Sequence, residues 1–195
     1  SRVFAMSERP GIDFAPGAIE TTGRPLDIAV EGDGWIAVQA PDGGESYSRA
    51  GDLQISPLGG ILQTGAGHPV IGDDGPIALP PFREILIGRD GTISLIPESA
   101  ETTTPVLIDR IKLVNPPLET LEKRDDGLVR ARDGLAAPGD ARVRVQSGAL
   151  EGSNVNMVDA VVEMVALARR FEMQIQMMRS VDENESRLAE LLRIG

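Results

Sequence analysis

The 195-residue chain carries 30 acidic against 19 basic side chains, a formal charge of −11, and 41% hydrophobic residues. That is enough apolar material to bury a core, while the acidic balance argues against nucleic acid or an anionic membrane surface as partner, since phosphates need clustered Lys and Arg. With 3% aromatics there are few platforms for ring stacking, and the lack of cysteine removes disulfide frameworks, thiolate metal sites and cysteine nucleophiles together.

Residues 1–25 hold Pro10, Gly11, Pro16, Gly17, Gly23 and Pro25 with little periodicity, which predicts an extended connector with one strand around Ala18 to Thr21. The opening SRVFAMSERPG has no basic start followed by an apolar stretch, so no secretory signal is expected there, and the missing initiator Met suggests a fragment or a processed form. Residues 26–114 change character. Short apolar or alternating runs (LDIAV, WIAVQ, ESYSR, LQIS, ILQ, PVIG, IAL, EILIG, TISLI, VLIDRIKLV) recur between turns such as Asp33-Gly34, Asp42-Gly43, Asp74-Gly75 and Asp90-Gly91. Asp-Gly between alternating residues predicts hairpins closed by type I′ turns, hence a mostly antiparallel β domain. Leu53 with Ile55, and Ile93 with Leu95, alternate with polar neighbours and imply one buried face. The run Val106 to Val114 is the expected central strand.

Residues 115–153 lose this regularity and predict a return connector with brief strands at Leu128 to Ala131 and Val143 to Gln146. Residues 154–195 then break with everything before them. Asn156 is a good N-cap, Asp159 places an acid in the first turn, and neither Gly nor Pro occurs from there to Arg193, so a helix about 57 Å long is expected. The fold class is therefore α+β: an antiparallel β domain with one long C-terminal helix.

Along that helix Met157, Val161, Met164, Ala168, Phe171, Ile175 and Met178 keep an alternating spacing of four and three, which is a coiled-coil-like seam. Val158, Val162, Val165 and Leu167 widen it into a nearly complete apolar surface over the first turns. Such a surface needs neighbours on more than one side, and the chain offers no second helix. Arg169 and Arg170 with Glu163 and Glu172 are rim charges that either fix register or are simply solvated.

Catalytic and metal chemistry have thin support. The single histidine, His68, sits in a Gly-rich turn and cannot form a two-His metal site, and Ser48 or Ser56 lies in no nucleophile elbow. Asp73-Asp74-Gly75 and Asp125-Asp126-Gly127 lack the spaced ligands of a calcium loop, and Gly65 to Gly67 lacks the Lys and Ser or Thr of a phosphate loop. No run of about 18 apolar residues is present to insert in a membrane. No cofactor, small-molecule substrate or nucleic-acid partner is expected. A soluble β-rich binding module using Trp35 or Tyr47 as an exposed anchor stays open as an alternative.

Three blocks resemble the bacterial flagellar rod, hook and filament-joint family. Leu150, Glu151, Ser153, Asn154 and Val155 match its Leu-Glu-x-Ser-Asn-Val segment before the terminal helix; Leu26, Asp27, Ala29, Gly32, Gly34 and Trp35 match a first upstream block; Tyr47, Ser48, Arg49, Gly51 and Leu53 match a second. Arg169-Arg170-Phe171-Glu172-Met173 and Ser180-Val181-Asp182-Glu183 are most similar to the proximal-rod branch, with the distal rod or hook branches as alternatives. The resemblance implies a non-enzymatic axial protein, exported by the flagellar type III apparatus and assembled with other rod proteins in the rod that crosses the periplasm. It implies helix packing through Met157, Val158, Val161, Val162, Met164, Val165, Ala168, Phe171, Ile175 and Met178, and a hinge or cap at Ser153, Asn154 and Asn156. Ser153 and Asn154 read equally well as a plain turn. Members of that family begin with an Asn-rich helix, and residues 1–25 show none, so the helix partners are expected from such a segment and from neighbouring subunits.

Overall fold

Short apolar runs cut by glycine turns give fourteen strands and one long helix in a computed structural model. It describes residues 14–57, 59–98, 104–155 and 157–194; the side chains of Met157, Val158, Ala160 and 182–194 lie outside the description. The strands are β1 Ile19–Thr21, β2 Ile28–Glu31, β3 Trp35–Gln39, β4 Glu45–Ser48, β5 Leu53–Ile55, β6 Leu62–Thr64, β7 Phe82–Ile87, β8 Thr92–Pro97, β9 Val106–Arg110, β10 Leu113–Val114, β11 Leu121–Lys123, β12 Val129–Ala131, β13 Arg144–Ser147 and β14 Ala149–Glu151. Every pairing between them is antiparallel.

The largest sheet runs β10-β3-β4-β12-β11, flanked by the pairs β13-β2, β5-β6 and β1-β14 and by the three-stranded β7-β8-β9. WIAVQ is apolar at consecutive positions because both of its faces are covered. Since alternate side chains point to opposite faces, Ile36 and Val38 enter a cluster with Ile28, Leu53, Leu62, Ile77, Ile93, Leu95 and Val145, while Trp35 and Ala37 enter a second one with Tyr47, Val114, Leu121, Val129 and Ala131. Trp35 and Tyr47 are both buried, so neither is the exposed anchor of a binding module.

Asp42-Gly43, Asp90-Gly91 and Asp126-Gly127 close hairpins, but by a different turn from the one expected, whereas Asp33-Gly34 joins β2 and β3, which lie in different sheets. No described residue other than glycine has a positive φ, which excludes type I′. Instead the Gly43 N–H donates to Ala40 O and the Ala40 N–H to Gly44 O, with Gly43 at φ 83°. Gly88 to Thr92 and Arg124 to Leu128 repeat the same pattern. This is a type I turn finished by a glycine in the left-handed region. The aspartate just before each glycine adds a reason: Asp42, Asp90 and Asp126 accept from the N–H two residues on, Gly44, Thr92 and Leu128. A carboxylate there stabilises the turn with Asp in an ordinary conformation.

Val106 to Val114 is not a central strand. β9 and β10 are edges of two different sheets, and the chain crosses between them at Ile111 and Lys112. Ile111 turns inward, 1% exposed, and the Lys112 ammonium reaches the Glu45 carboxylate at 2.7 Å. One apolar run therefore serves two layers. Residues 115–153, expected as a return connector, supply β11 to β14. Val129 pairs with Tyr47, β13 lies along β2, and β14 along β1. β12 and β13 lie close to the brief strands expected at Leu128 to Ala131 and Val143 to Gln146, and Leu121, Val129, Val143, Val145 and Ala149 are buried. The β unit ends at Asn154 and a second unit opens at Val155.

That second unit is α1, Met157–Ile194, 38 residues with Asp159 in its first turn. An uninterrupted run without Gly or Pro leaves the ladder of backbone bonds intact, and the Ser180 hydroxyl donates back to Met177 O at 2.9 Å. Among the described residues no helix is long and apolar enough to cross a membrane.

Candidate functional site: the apolar helix and the clasp of the β unit

On α1 the seam positions share one line because spacings of four and three average close to the helical repeat. Val161 is 56% exposed, Met164 67% and Phe171 62%; Ala168 and Met178 are exposed and Ile175 is half-buried. Val162, Val165 and Leu167 beside the seam are exposed as well. Asp159, Glu163 and Arg170 fall together on the line opposite, so polar residues occupy a narrow strip of the first turns. Met157 and Val158 continue the spacing, with side chains outside the description. Asn156, the expected cap, lies outside the described residues altogether.

In the β unit a different constellation gathers where the chain enters and leaves. Ile19, Glu20 and Thr21 of β1 stand opposite Glu151, Leu150 and Ala149 of β14, and the pairing continues outward: Gly152 N–H donates to Ala18 O at 2.8 Å and Asn154 Nδ2 to Ala15 O at 2.9 Å. Asn154 is thus a strap between the two segments; Ser153 beside it is exposed. The approach is so close that a Cβ on Gly17 would lie 2.0 Å from Gly152 O. Only glycine fits there.

Arg49 fastens this ribbon to the sheet. Its Nε donates to both oxygens of Glu151, at 3.0 and 2.7 Å, Nη1 donates to Gly34 O at 2.8 Å and Nη2 to Gly32 O at 2.9 Å. Glu151 Oε1 also accepts the Gly17 N–H at 2.8 Å. The guanidinium lies 5.7 Å from the centre of the Trp35 ring, and Phe14 meets that ring edge-on at 5.6 Å. The pair is largely withdrawn from water, with side-chain exposures of 14% and 8%. Burial of an ion pair requires that its remaining donors and acceptors be met, which the two carbonyls and the amide accomplish.

Sequence reasoning marked Arg49 and Glu151 only as members of two motif blocks and assigned them no contact. Their separation of 102 positions hides the pair; the available signal was that each block carries one opposite charge among residues otherwise apolar, small or neutral. The cleft beside them, lined by Phe14, Trp35, Arg49 and Glu151, holds about 220 Å³, below the roughly 300–1,000 Å³ of small-molecule sites. Among the described residues no group of three or more His, Cys, Asp or Glu is placed to hold a metal ion. The Tyr47 hydroxyl accepts the Ala137 N–H at 2.8 Å, and burial pushes its phenol above the ordinary value. Tyr47 is a packing residue, not a proton donor on a surface.

A β unit with its own core, clasped where the chain enters and leaves and followed by a long helix with apolar flanks, defines a structural assembly subunit. Residues 29–95 match the model of the flagellar hook protein FlgE/F/G D1 domain, and residues 146–191 that of the flagellar basal body rod FlgEFG protein C-terminal region. The chain is 44% identical to the flagellar basal-body rod protein FlgF of Salmonella typhimurium and, at the same identity, to that of Escherichia coli, over 100% of this chain and 79% of each relative. The flagellar basal-body rod protein FlgG of Bacillus subtilis is 31% identical over 96% of this chain and 76% of its own length. The chain belongs to the flagellar basal-body rod family, on its FlgF-like branch. It is a structural component of the proximal rod, and its place is the rod of the basal body.

Proposed function

We propose that the chain assembles through α1 into the torque-transmitting shaft, packing with helices of other rod subunits, both copies of itself and different rod proteins. The observation that carries this reading is the exposure of Val161, Met164, Val165 and Phe171 on one helix. Each such side chain contributes about 1.5–3 kcal/mol when it passes from water into a packed interface, so a seam of this length supplies ample driving force. Apolar flanks on both sides of the seam favour more than one neighbour, and repeated head-to-tail contacts that do not close generate helical tubes. Met157, Val158, Val161, Val162, Met164, Val165, Ala168, Phe171, Ile175 and Met178 form the packing surface in this reading.

The corresponding division of labour assigns residues 154–195 to the core of the shaft, residues 26–114 with the strands of 115–153 to the body outside it, and residues 1–25 to the connector. Ser153, Asn154 and Asn156 mark the passage between them. Catalysis, nucleic acid, small-molecule substrates and membrane insertion have no role in it. Val161→Asp and Ile175→Asp, introduced into the full-length protein in cells lacking their own copy, test it. A charge buried in the seam should reduce the amount recovered in purified basal bodies by about tenfold or more; recovery equal to the unaltered protein would overturn the helix-packing reading.

A further inference from the structure

The clasp at Arg49 lies outside the two hydrophobic clusters of the β unit. Four pieces of chain meet on one guanidinium and its carboxylate: the turn at Gly32 to Trp35, the end of β4, the outgoing strand β14 through Glu151, and the incoming segment through the Gly17 amide. All of these residues precede Val155, where the assembling unit begins. A hydrophobic core already exists without them, since neither Arg49 nor Glu151 belongs to either buried cluster. What the pair does add is lateral: it ties a ribbon only three paired positions long to the rigid sheet next to it. Without that tie, a ribbon so short would fray at the end where the chain departs, because terminal strand pairs open at low free-energy cost.

We propose that Arg49 and Glu151 are positioning residues for rod assembly: they hold the outgoing strand against the incoming segment and the Gly32–Trp35 turn, and so fix the point from which the chain departs towards α1. The proposal rests on the reading of α1 as the assembling element. An assembling helix attached to a frayed strand samples many orientations, and each unproductive orientation lowers the effective local concentration and the fraction of productive encounters. An anchored exit removes that entropic cost before assembly begins. Glycine at 17 and the Asn154 strap belong to the same device, because they permit and extend the close approach that the ion pair locks.

Glu151→Gln is the test, since it keeps the shape and turns one accepting oxygen into an amide donor facing the Arg49 Nε. In the full-length variant, amide exchange at Gly17 and Gly152 should accelerate about tenfold or more while Ala37 and Leu62 in the main sheets keep their protection. Recovery in basal bodies should fall at least about fivefold, a loss of pre-organisation and not of folding. Glu20→Cys with Leu150→Cys, facing positions in the ribbon of a chain that has no other cysteine, then supplies a covalent replacement. Oxidised, it should restore recovery in the Glu151→Gln background; reduced, it should not. Unchanged exchange, normal recovery, global unfolding of the β unit, or failure of the formed disulfide to rescue would each overturn the proposal. If Val161→Asp blocks recovery while Glu151→Gln leaves it intact, the clasp proposal alone fails; if Val161→Asp is harmless, the helix reading fails first.

Discussion

The β unit and α1 spend the same kinds of side chain in opposite ways. Ile28, Ile36, Val38 and Leu53 are all inaccessible to water, whereas Val161, Val162, Leu167 and Phe171 are about half to two-thirds exposed. The apolar residue types do not decide burial; the availability of partners does. In the β unit, short strands from distant parts of the chain supply one another's neighbours, so its stability is self-contained. In α1 the regular spacing leaves an apolar surface that a single helix cannot cover, and in the proposed reading its packing comes with assembly.

The contrast is broken most severely at Gly51, where a Cβ would sit 1.6 Å from the Ile28 carbonyl oxygen. Gly51→Ala should therefore cost the β unit about 3 kcal/mol or more, measured by urea unfolding followed through the fluorescence of the single, buried Trp35. A smaller loss is expected for Tyr47→Phe, which leaves the Ala137 N–H without its acceptor and should cost about 1–3 kcal/mol. On the other side of the comparison, Val161→Asp should change the same unfolding transition by no more than about 0.5 kcal/mol, despite its expected effect on assembly. A large shift there would show that α1 and the β unit share one cooperative core.

The smallest effect concerns acid. Hydrogen bonds from the Arg142 guanidinium, joined by the Arg142 backbone N–H, hold the Asp140 carboxyl down to about 2, against 3.8 ordinarily. A carboxyl lowered by folding stabilises the native state above its unfolded pKa, and that contribution disappears as pH falls from about 4 towards 2. The pair is on the surface and screened by water, so the effect should be slight. Asp140→Asn should match the unaltered protein in urea midpoint near pH 2 and fall a little below it at pH 5; the opposite ordering would contradict the sign.

Much of this arrangement was legible in the chain. Turn chemistry placed the strands between Leu26 and Arg110 well, because Asp-Gly and other glycine turns such as Gly59-Gly60 and Gly65 to Gly67 separate most of the runs. It named the wrong turn, since the rule for two-residue loops was applied to loops in which the aspartate carboxylate caps the following backbone. Long runs misled for a different reason: Val106 to Val114, with apolar residues at six of its nine positions, reads as one strand, but the ion pair at Lys112 and an inward Ile111 accompany a change of sheet midway. Within residues 115–153 the brief strands expected at Leu128 to Ala131 and Val143 to Gln146 fall close to β12 and β13, whereas β11 and β14 went unread because three residues carry too few alternations to register. The length and the seam of α1 were plain, since periodicity over many turns is the strongest local signal. The Arg49–Glu151 contact was invisible to any local pattern, being made entirely by the fold.

One consequence follows from the antiparallel order of β1 and β14. Because the chain arrives and departs at the same end of this ribbon, a force separating the two flanking segments peels it rung by rung instead of shearing all rungs at once. The first rungs include the hydrogen bonds from Asn154 Nδ2 to Ala15 O and from the Gly152 N–H to Ala18 O. At Glu151 the peel meets a knot whose loosening also disturbs Gly17, Gly32, Gly34 and the ring of Trp35. One guanidinium and one carboxylate thus couple the peeling of the ribbon to the sheet beside it.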